Sequence, residues 1–391
     1  MSKWRSYLTC LLALCCLLSA LPFHSSGLSL AEDAPLPMPS VSAQAAVLME
    51  AESGMLLYGK SADTRMPMAS TTKIASALVA LELASPDTRI KVSPEAVGVE
   101  GSSIYLSQGE ELTLEELLYA MLLESANDAA LAIAIGLSGS MEAFAEQMNR
   151  KATELGLKDT HFVNPHGLDH GEHYTTAREL AILTQAAMQN PLFCKIVSTS
   201  RASIPNAETG GVRTLLNHNK LLHLYRDCIG VKTGFTKKSG RCLVSAAERE
   251  GVLLIAVTLS APDDWDDHAS LLDYGFSNYR THLLCSAEEF QIPLPLVGGQ
   301  EQYVVVTNPE GLSRTLPRDV QAITKTVCLP RFSYAPMPAG KTVGSVCFFA
   351  DTNGDGTKES LGSVELIACY EVKKAPKKKG FWNWLKSLFG F

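Results

Sequence analysis

Strand-like runs stand at the two ends of a long helical stretch, and that separation limits the folds open to the chain. Residues 43–60, AQAAVLMEAESGMLLYGK, read as two short strands around a turn at Ser53-Gly54. The next strand-like runs, CIGVKTGFT, GRCLVSAAE and GVLLIAVTLSA, begin only at Cys228. Between them the apolar residues recur at helical spacing. Thr113 with Glu116, in LTLEELLYAMLLE, and Thr176 with Glu179, in TTARELAILTQAAM, each carry a capping-box signature. An isolated strand pair is marginal in water, so the early pair has to join the late three in one antiparallel sheet with helices laid against it. The expected class is α/β, an antiparallel sheet with a helical cluster.

Near residue 288 the composition shifts. FQIPLPLVGGQEQYVVVT, TKTVCLP and TVGSVCFFADTNGDGTKESLGSVELIAC are short β-rich runs broken by glycine and proline turns, which predicts a small all-β domain. With 391 residues, 46 % of them hydrophobic and 19 % charged, the chain can bury two globular cores. The expected partition is a leader over 1–31, a proline-rich lead-in over 32–40, the α/β domain over 41–287, the β-rich domain over 288–372, and a basic linker with an amphipathic segment over 373–391.

Lys3 and Arg5 precede an apolar run from Leu8 to Leu21, and Ser29-Leu30-Ala31 before Glu32 fits a small-x-small cleavage site. That run is shorter than the ~20 residues needed to span a bilayer, which favours export with cleavage over a membrane anchor. At the other end, GFWNWLKSLFGF sets Phe381, Trp384, Leu385, Leu388 and Phe389 on one helical face, with Asn383, Lys386 and Ser387 opposite. The segment is too short to cross a membrane. It can lie in the interface, aided by the five lysines before it, or dock on the protein itself. The expected location is thus outside the cytoplasmic membrane, with peripheral attachment by the C-terminal helix. The formal charge of −7 conceals an acidic body with a cationic tip, which argues against nucleic acid as a partner. Three of the ten cysteines (Cys10, Cys15, Cys16) belong to the leader. The other seven are scattered without a Cys-x-x-Cys pair and read mostly as small buried apolar side chains.

PMASTTKIAS, residues 67–76, sets Ser70 three residues ahead of Lys73, so the two share a helix face and the amine can reach the hydroxyl. Such a pair arises about once by chance in a chain this long, and alone it also fits an ordinary helix start with a solvated lysine. A lysine with a pKa of about 10.4 stays charged at neutral pH; to act as a base it needs burial or a second cation. VKTGFT, residues 231–236, offers that cation in Lys232. Its Thr233 hydroxyl suits an anionic group such as a terminal carboxylate, and Gly234 leaves room for a ligand backbone against the strand. A solvated strand lysine before a glycine turn is the plain alternative. In ESANDAA, Ser125-Ala126-Asn127 falls between helical stretches, where Ser125 can pass a proton and Asn127 can both donate to and accept from an amide. Asn127 equally suits an N-cap for the helix that follows.

Jointly, Ser-x-x-Lys, Ser-x-Asn and Lys-Thr-Gly at 70, 125 and 232 resemble the three signatures of the penicillin-recognising serine enzymes. SGMLLYGKSADTRMPMASTTK, SANDAA, MNRKATELGLKDTHFVNPHGLD, TTAREL, VKTGFTKKSGRCLVSA and LLDYGFSNY are similar to the low-molecular-mass D-alanyl-D-alanine carboxypeptidases, over about residues 41–280. The resemblance implies a β-lactamase/transpeptidase-like catalytic domain followed by a small all-β domain. It implies that Ser70 attacks the peptide bond between two D-alanines of a peptidoglycan stem peptide, and that Lys73 takes its proton. The oxyanion would lie between the backbone N–H groups of Ser70 and Phe235. Ser125 would relay a proton to the leaving D-alanine, Asn127 would align the substrate amide, and Lys232 with Thr233 would hold the carboxylate. β-Lactams should acylate Ser70, and no cofactor or metal is implied. Ser239, where the family more often has alanine, is a departure without a catalytic role.

Three rivals remain at this point. HFVNPHGLDHGEHY gathers His161, His166, His170 and His173 with Asp169 and Glu172, the raw material of a zinc peptidase, but without His-Glu-x-x-His. A β-lactamase would need a second base for fast deacylation, and no Glu-x-x-Leu-Asn segment follows Ser125. A catalytically silent wall-binding protein is the third. DTNGDGTKES opens like a calcium loop, yet its twelfth position is Gly362, and a hairpin turn is the better reading.

Overall fold

The computed structural model describes residues 36–320, 322–352 and 356–376, together with Leu388. The expected leader, most of the amphipathic tail and the centre of the DTNGDGTKES loop therefore lie outside the described residues.

The early strands do join the late ones. β1 (Ala45–Glu50) and β2 (Leu56–Lys60) form a five-stranded antiparallel sheet with β7 (Cys228–Thr236), β8 (Gly240–Arg249) and β9 (Val252–Leu259), in the order β2-β1-β9-β8-β7. Every residue of β1 is buried, because both faces of the sheet are covered. Ala45, Val47 and Met49 pack on the large helical cluster; Ala46 and Leu48 pack on the opposite side against Leu271, Leu272 and Phe276 of the Asp264–Asn278 helix. In the turn between β1 and β2 the Glu50 carboxylate accepts the backbone N–H groups of Glu52 and Ser53.

The Lys73–Leu83 helix runs within the cluster, and its first eight residues, Lys73 to Ala80, are all buried. A helix so apolar on every side belongs in a core. Around it stand the helices Leu114–Leu123, Asn127–Ser138, Met141–Glu154 and Ala177–Met188. Thr113 and Glu116 form the full capping box. At Thr176 only half of it forms: the Thr176 hydroxyl accepts from Glu179 N–H, but the Glu179 carboxylate turns to the backbone of Lys158 and Asp159 and to Thr160. The middle of the chain is also less purely helical than expected. It holds two small ladders, β3 (Arg89–Lys91) with β4 (Glu111–Thr113) and β5 (Arg201–Asn206) with β6 (Gly211–Leu216).

Beyond the Asp264–Asn278 helix the chain is sheet-rich. β10 (Tyr279–Cys285) pairs with β13 (Leu312–Pro317). β11 (Ile292–Val297), β12 (Tyr303–Thr307), β14 (Thr324–Cys328), β15 (Ser333–Tyr334), β16 (Thr342–Ala350) and β17 (Glu359–Ala368) make a six-stranded sheet, in the order β14-β16-β17-β12-β11-β15. Its core, including Phe290, Leu294, Val304, Val306, Phe348 and Leu366, is separate from the two cores of the α/β part. The calcium-loop-like segment connects β16 to β17, whose last and first residues, Ala350 and Glu359, pair as a hairpin. Of the seven described cysteines, Cys242 and Cys285 are buried, Cys328 and Cys369 are exposed, and the rest are half-buried, so fewer are core residues than expected.

Candidate active site

Ser70 lies in a single 3-10 turn, Ala69–Thr72, that runs straight into the Lys73–Leu83 helix. Thr71 and Thr72 turn their hydroxyls back onto the Met68 and Ala69 carbonyls, which fixes that turn. Ala69 takes φ 46° in the left-handed region, which swings Ser70 toward the cleft.

Lys73 is fully buried. Its Nζ lies 2.9 Å from Ser70 Oγ, 2.7 Å from Asn127 Oδ1 and 2.6 Å from the His166 carbonyl. Asn127 Nδ2 donates to the Glu100 carbonyl, so its oxygen is the atom presented to the lysine. Burial first, and then the charge of Lys232, hold the Lys73 amine well below the ordinary lysine value, against a weaker opposing pull from Asp128. A neutral amine has two N–H donors and one lone pair. Asn127 Oδ1 and the His166 carbonyl can only accept, so they take both N–H groups and leave the lone pair facing the Ser70 hydroxyl.

Lys232 sits on β7 beside this group, 1 % exposed, with Nζ donating to the Thr233 carbonyl at 2.9 Å. Burial lowers its pKa to about 7. Burial thus weakens the hold of Lys232 on its proton, so it is a less fixed cation than its place in the Lys-Thr-Gly motif suggests. Gly234 is the next point of contact. A Cβ there would stand 3.0 Å from Ser70 N and 3.1 Å from Thr71 N, so any side chain would press on the serine turn, and glycine also leaves room for a ligand. Phe235 follows with its side chain largely in solvent.

Ser125 takes φ 60° at the break between the helices Leu114–Leu123 and Asn127–Ser138. The N-cap of the second helix is Ala126, without a side-chain cap, so Asn127 serves the lysine and not the helix end. Ser70, Ser125, Thr233, Gly234 and Phe235 line one cavity of about 370 Å³, though no hydrogen bond joins Ser125 to Ser70 or Lys73 among the described residues. Ser102, His218, Lys220, Arg241, Asp264 and Trp265 complete its wall, and the sequence reading singled out none of them. Arg241 is tied to Asp264 at 2.8 Å and lies over the Trp265 ring. Its neighbour Gly240 follows Ser239, whose hydroxyl closes the β7–β8 hairpin with Thr236; that is what the unusual serine does.

The histidine-rich segment is a brace behind the site. His173 Nδ1 accepts from Val163 N–H, leaving Nε2 to face the Thr72 hydroxyl at 2.8 Å. His166 Nδ1 accepts from Leu168 N–H and His170 Nδ1 from Glu172 N–H. Burial depresses His166 to about 3 and His173 to about 4. With their nitrogens turned to local partners, these side chains do not converge, and among the described residues no three His, Cys, Asp or Glu side chains form a metal-holding group. Gly167, at φ +88°, lets the loop reach the serine turn: a Cβ there would lie 2.0 Å from the Ala69 carbonyl oxygen.

A family model for D-alanyl-D-alanine carboxypeptidase matches residues 31–263. The chain belongs to the D-alanyl-D-alanine carboxypeptidase family. The carboxypeptidase DacF of Bacillus subtilis is 31 % identical over 358 residues, covering 89 % of each chain, and DacC of Escherichia coli is 30 % identical over 392 residues, covering 95 % of this carboxypeptidase-family chain and 94 % of its own. Among solved structures, penicillin binding protein 5 of Haemophilus influenzae superposes with a TM-score of 0.71 at 26 % identity, over 87 % of this chain and all of its own. A peptidoglycan synthesis regulatory factor of Streptococcus pneumoniae gives 0.72 at 26 % identity, over 86 % of this chain. These likenesses extend through the sheet-rich C-terminal part, so the carboxypeptidase-family chain has the α/β and all-β arrangement that its sequence implied.

Proposed function

We propose that the chain is an exported serine carboxypeptidase that removes the terminal D-alanine from peptidoglycan stem pentapeptides. The observation that carries this reading is the fully buried Lys73 amine 2.9 Å from Ser70 Oγ, its pKa held low by burial and by the charge of Lys232. Ser70 Oγ attacks the carbonyl between the two D-alanines while Lys73 takes the hydroxyl proton. The backbone N–H groups of Ser70 and Phe235 receive the oxyanion; one such donor typically contributes ~10²–10³ in rate. The tetrahedral intermediate then collapses as Ser125 relays the proton taken up by Lys73 to the departing D-alanine nitrogen, which returns Lys73 to its neutral form, and water hydrolyses the ester left on Ser70. Asn127 aligns the substrate amide. Lys232 and the Thr233 hydroxyl hold the terminal carboxylate, whose negative charge draws the Lys232 amine into its protonated form. β-Lactams acylate the same serine and leave slowly. The leader directs export, and the C-terminal segment holds the enzyme at the membrane surface.

Ser70→Ala tests the centre of this reading. It is expected to abolish both D-alanine release from a pentapeptide and covalent labelling by fluorescent penicillin, while the fold persists. D-alanine release surviving in pure Ser70→Ala protein would overturn the reading, and rapid β-lactam turnover by the parent protein would mark a β-lactamase instead.

A further inference from the structure

We propose that the outer face of β11, β12 and β15 is a lipid-contact surface that seats the sheet-rich part on the membrane beside the tail. Along β11 the residues alternate strictly. Leu294 and Leu296 point into the core, while Pro293, Pro295 and Val297 face solvent. Register extends that outward row to both neighbours: Tyr303 of β12 is paired with Pro295, and Tyr334 of β15 with Val297. Tyr303 is 52 % and Tyr334 65 % exposed, and the Phe332 ring stands edge-on to Tyr334 with centroids 5.5 Å apart. The result is a run of exposed apolar and aromatic side chains across three strands, with one carboxylate, Glu301, at its edge beside Tyr303 and Tyr370. Single exposed apolar residues need no explanation, but a patch of this kind marks an interaction site.

The course of the chain says what covers it. Residues 373–375 run alongside the 298–300 turn that follows β11: Gln300 N–H donates to the Lys373 carbonyl, Ala375 N–H donates to the Gly298 carbonyl, and Gly299 pairs with Lys374. The continuous run of described residues ends at Pro376, next to this face, and the segment whose apolar side begins at Phe381 follows five residues later. Five residues span at most about 18 Å. A tail lying in an interface thus keeps that interface within about 18 Å of this face. Tyrosine and phenylalanine rings suit the headgroup layer, and Arg331, Lys373 and Lys374 are exposed at the rim where anionic lipid would meet them. Glu301 and Glu371 are exposed there too, so the preference for anionic lipid is expected to come mainly from Lys377, Lys378 and Lys379.

This inference rests on the reading that the tail lies in a membrane interface, and the test separates the two. Binding to sedimented vesicles of phosphatidylcholine with phosphatidylglycerol is measured for the chain from residue 32, for its Phe332→Ser/Tyr334→Ser double variant, and for both after truncation past Pro376. D-alanine release from a soluble pentapeptide, expected unchanged in the double variant, verifies its fold. The double variant is expected to bind about tenfold more weakly, with or without the tail. Equal binding by parent and double variant overturns the lipid contact while leaving the tail reading intact. Stronger binding by the double variant overturns it differently, showing that the face holds the tail itself. Truncation without loss of binding, together with a weakened double variant, sinks the tail reading and supports the lipid contact.

Discussion

At the scale of single residues, the site is a charge problem solved by burial. Lys232 has its pKa lowered to about 7 in the folded protein and about 10.4 when unfolded, so between those values the unfolded chain binds more protons and stability rises with pH. The penalty is fully present below pH 7. Lys232→Met is therefore expected to stabilise the protein at neutral pH, by up to about 4 kcal/mol, while destroying carboxylate binding. Calorimetry at pH 7 and pH 10 tests this: the gain in Tm should shrink at the higher pH, and a variant less stable than its parent at both would sink the idea. Lys73 was legible in sequence as a partner for Ser70. Its lowered pKa was not, because that depends first on burial that no local spacing reports and then on Lys232, which is 159 positions away. The acceptor that completes its shell was invisible for a different reason: it is the His166 backbone carbonyl, and a backbone carbonyl has no letter in the sequence. Arg241 and Trp265 escaped notice because they belong to no motif and reach the cavity only through the β7–β8 hairpin and the start of a later helix.

At the scale of elements, the loop from His161 to His173 is what holds the turn that carries Ser70. Sequence chemistry suggested metal ligands there, since four histidines and two acids in so short a span are the usual raw material; only the fold shows the ring nitrogens turned to backbone and to Thr72. Gly167→Ala is expected to destabilise the protein by about 3 kcal/mol or more and to slow penicillin acylation, since the methyl would push against the Ala69 carbonyl one residue from Ser70. Stopped-flow acylation and urea melts measure the two effects, and an unperturbed acylation rate would count against the brace. His166 and His173, held near 3 and 4 in the folded state against about 6.5 unfolded, make their stability contribution fully at pH above 6.5. That contribution is lost as the pH falls from 6.5 toward 4. Urea midpoints should drop steeply over this interval, and less steeply in His173→Gln. Elsewhere, strong periodicity made long helices and the sheet strands easy to read, whereas β3 to β6 were hidden. β3 and β4 have three residues each and pair across a long loop, while β5 and β6 bury only one residue each, so neither pair carries a strong apolar pattern.

At the scale of the whole molecule, the catalytic cores and the core of the six-stranded sheet share no residue. Their connection is the β10–β13 ladder and a few hydrogen bonds, such as Arg318 N–H to the Asn278 carbonyl. Heating is expected to give two transitions, with covalent penicillin shifting only the one that belongs to the α/β part. Scanning calorimetry with and without the antibiotic would show this; a single transition that moves as one would refute independent melting. The compositional break that announced a second domain was legible because turn-rich β sequence differs from helical sequence, while its strand order was not, since β11 finds β15 and β17 finds β12 across long intervals.

The central sheet pairs Ala45 with Leu259, so β1 has no stable seat until a partner made more than two hundred residues later has emerged. A nascent chain built this way stays threadable for most of its synthesis. On the proposed reading that the chain is exported, that delay removes any need to unravel a finished enzyme before it is passed through a narrow translocation pore.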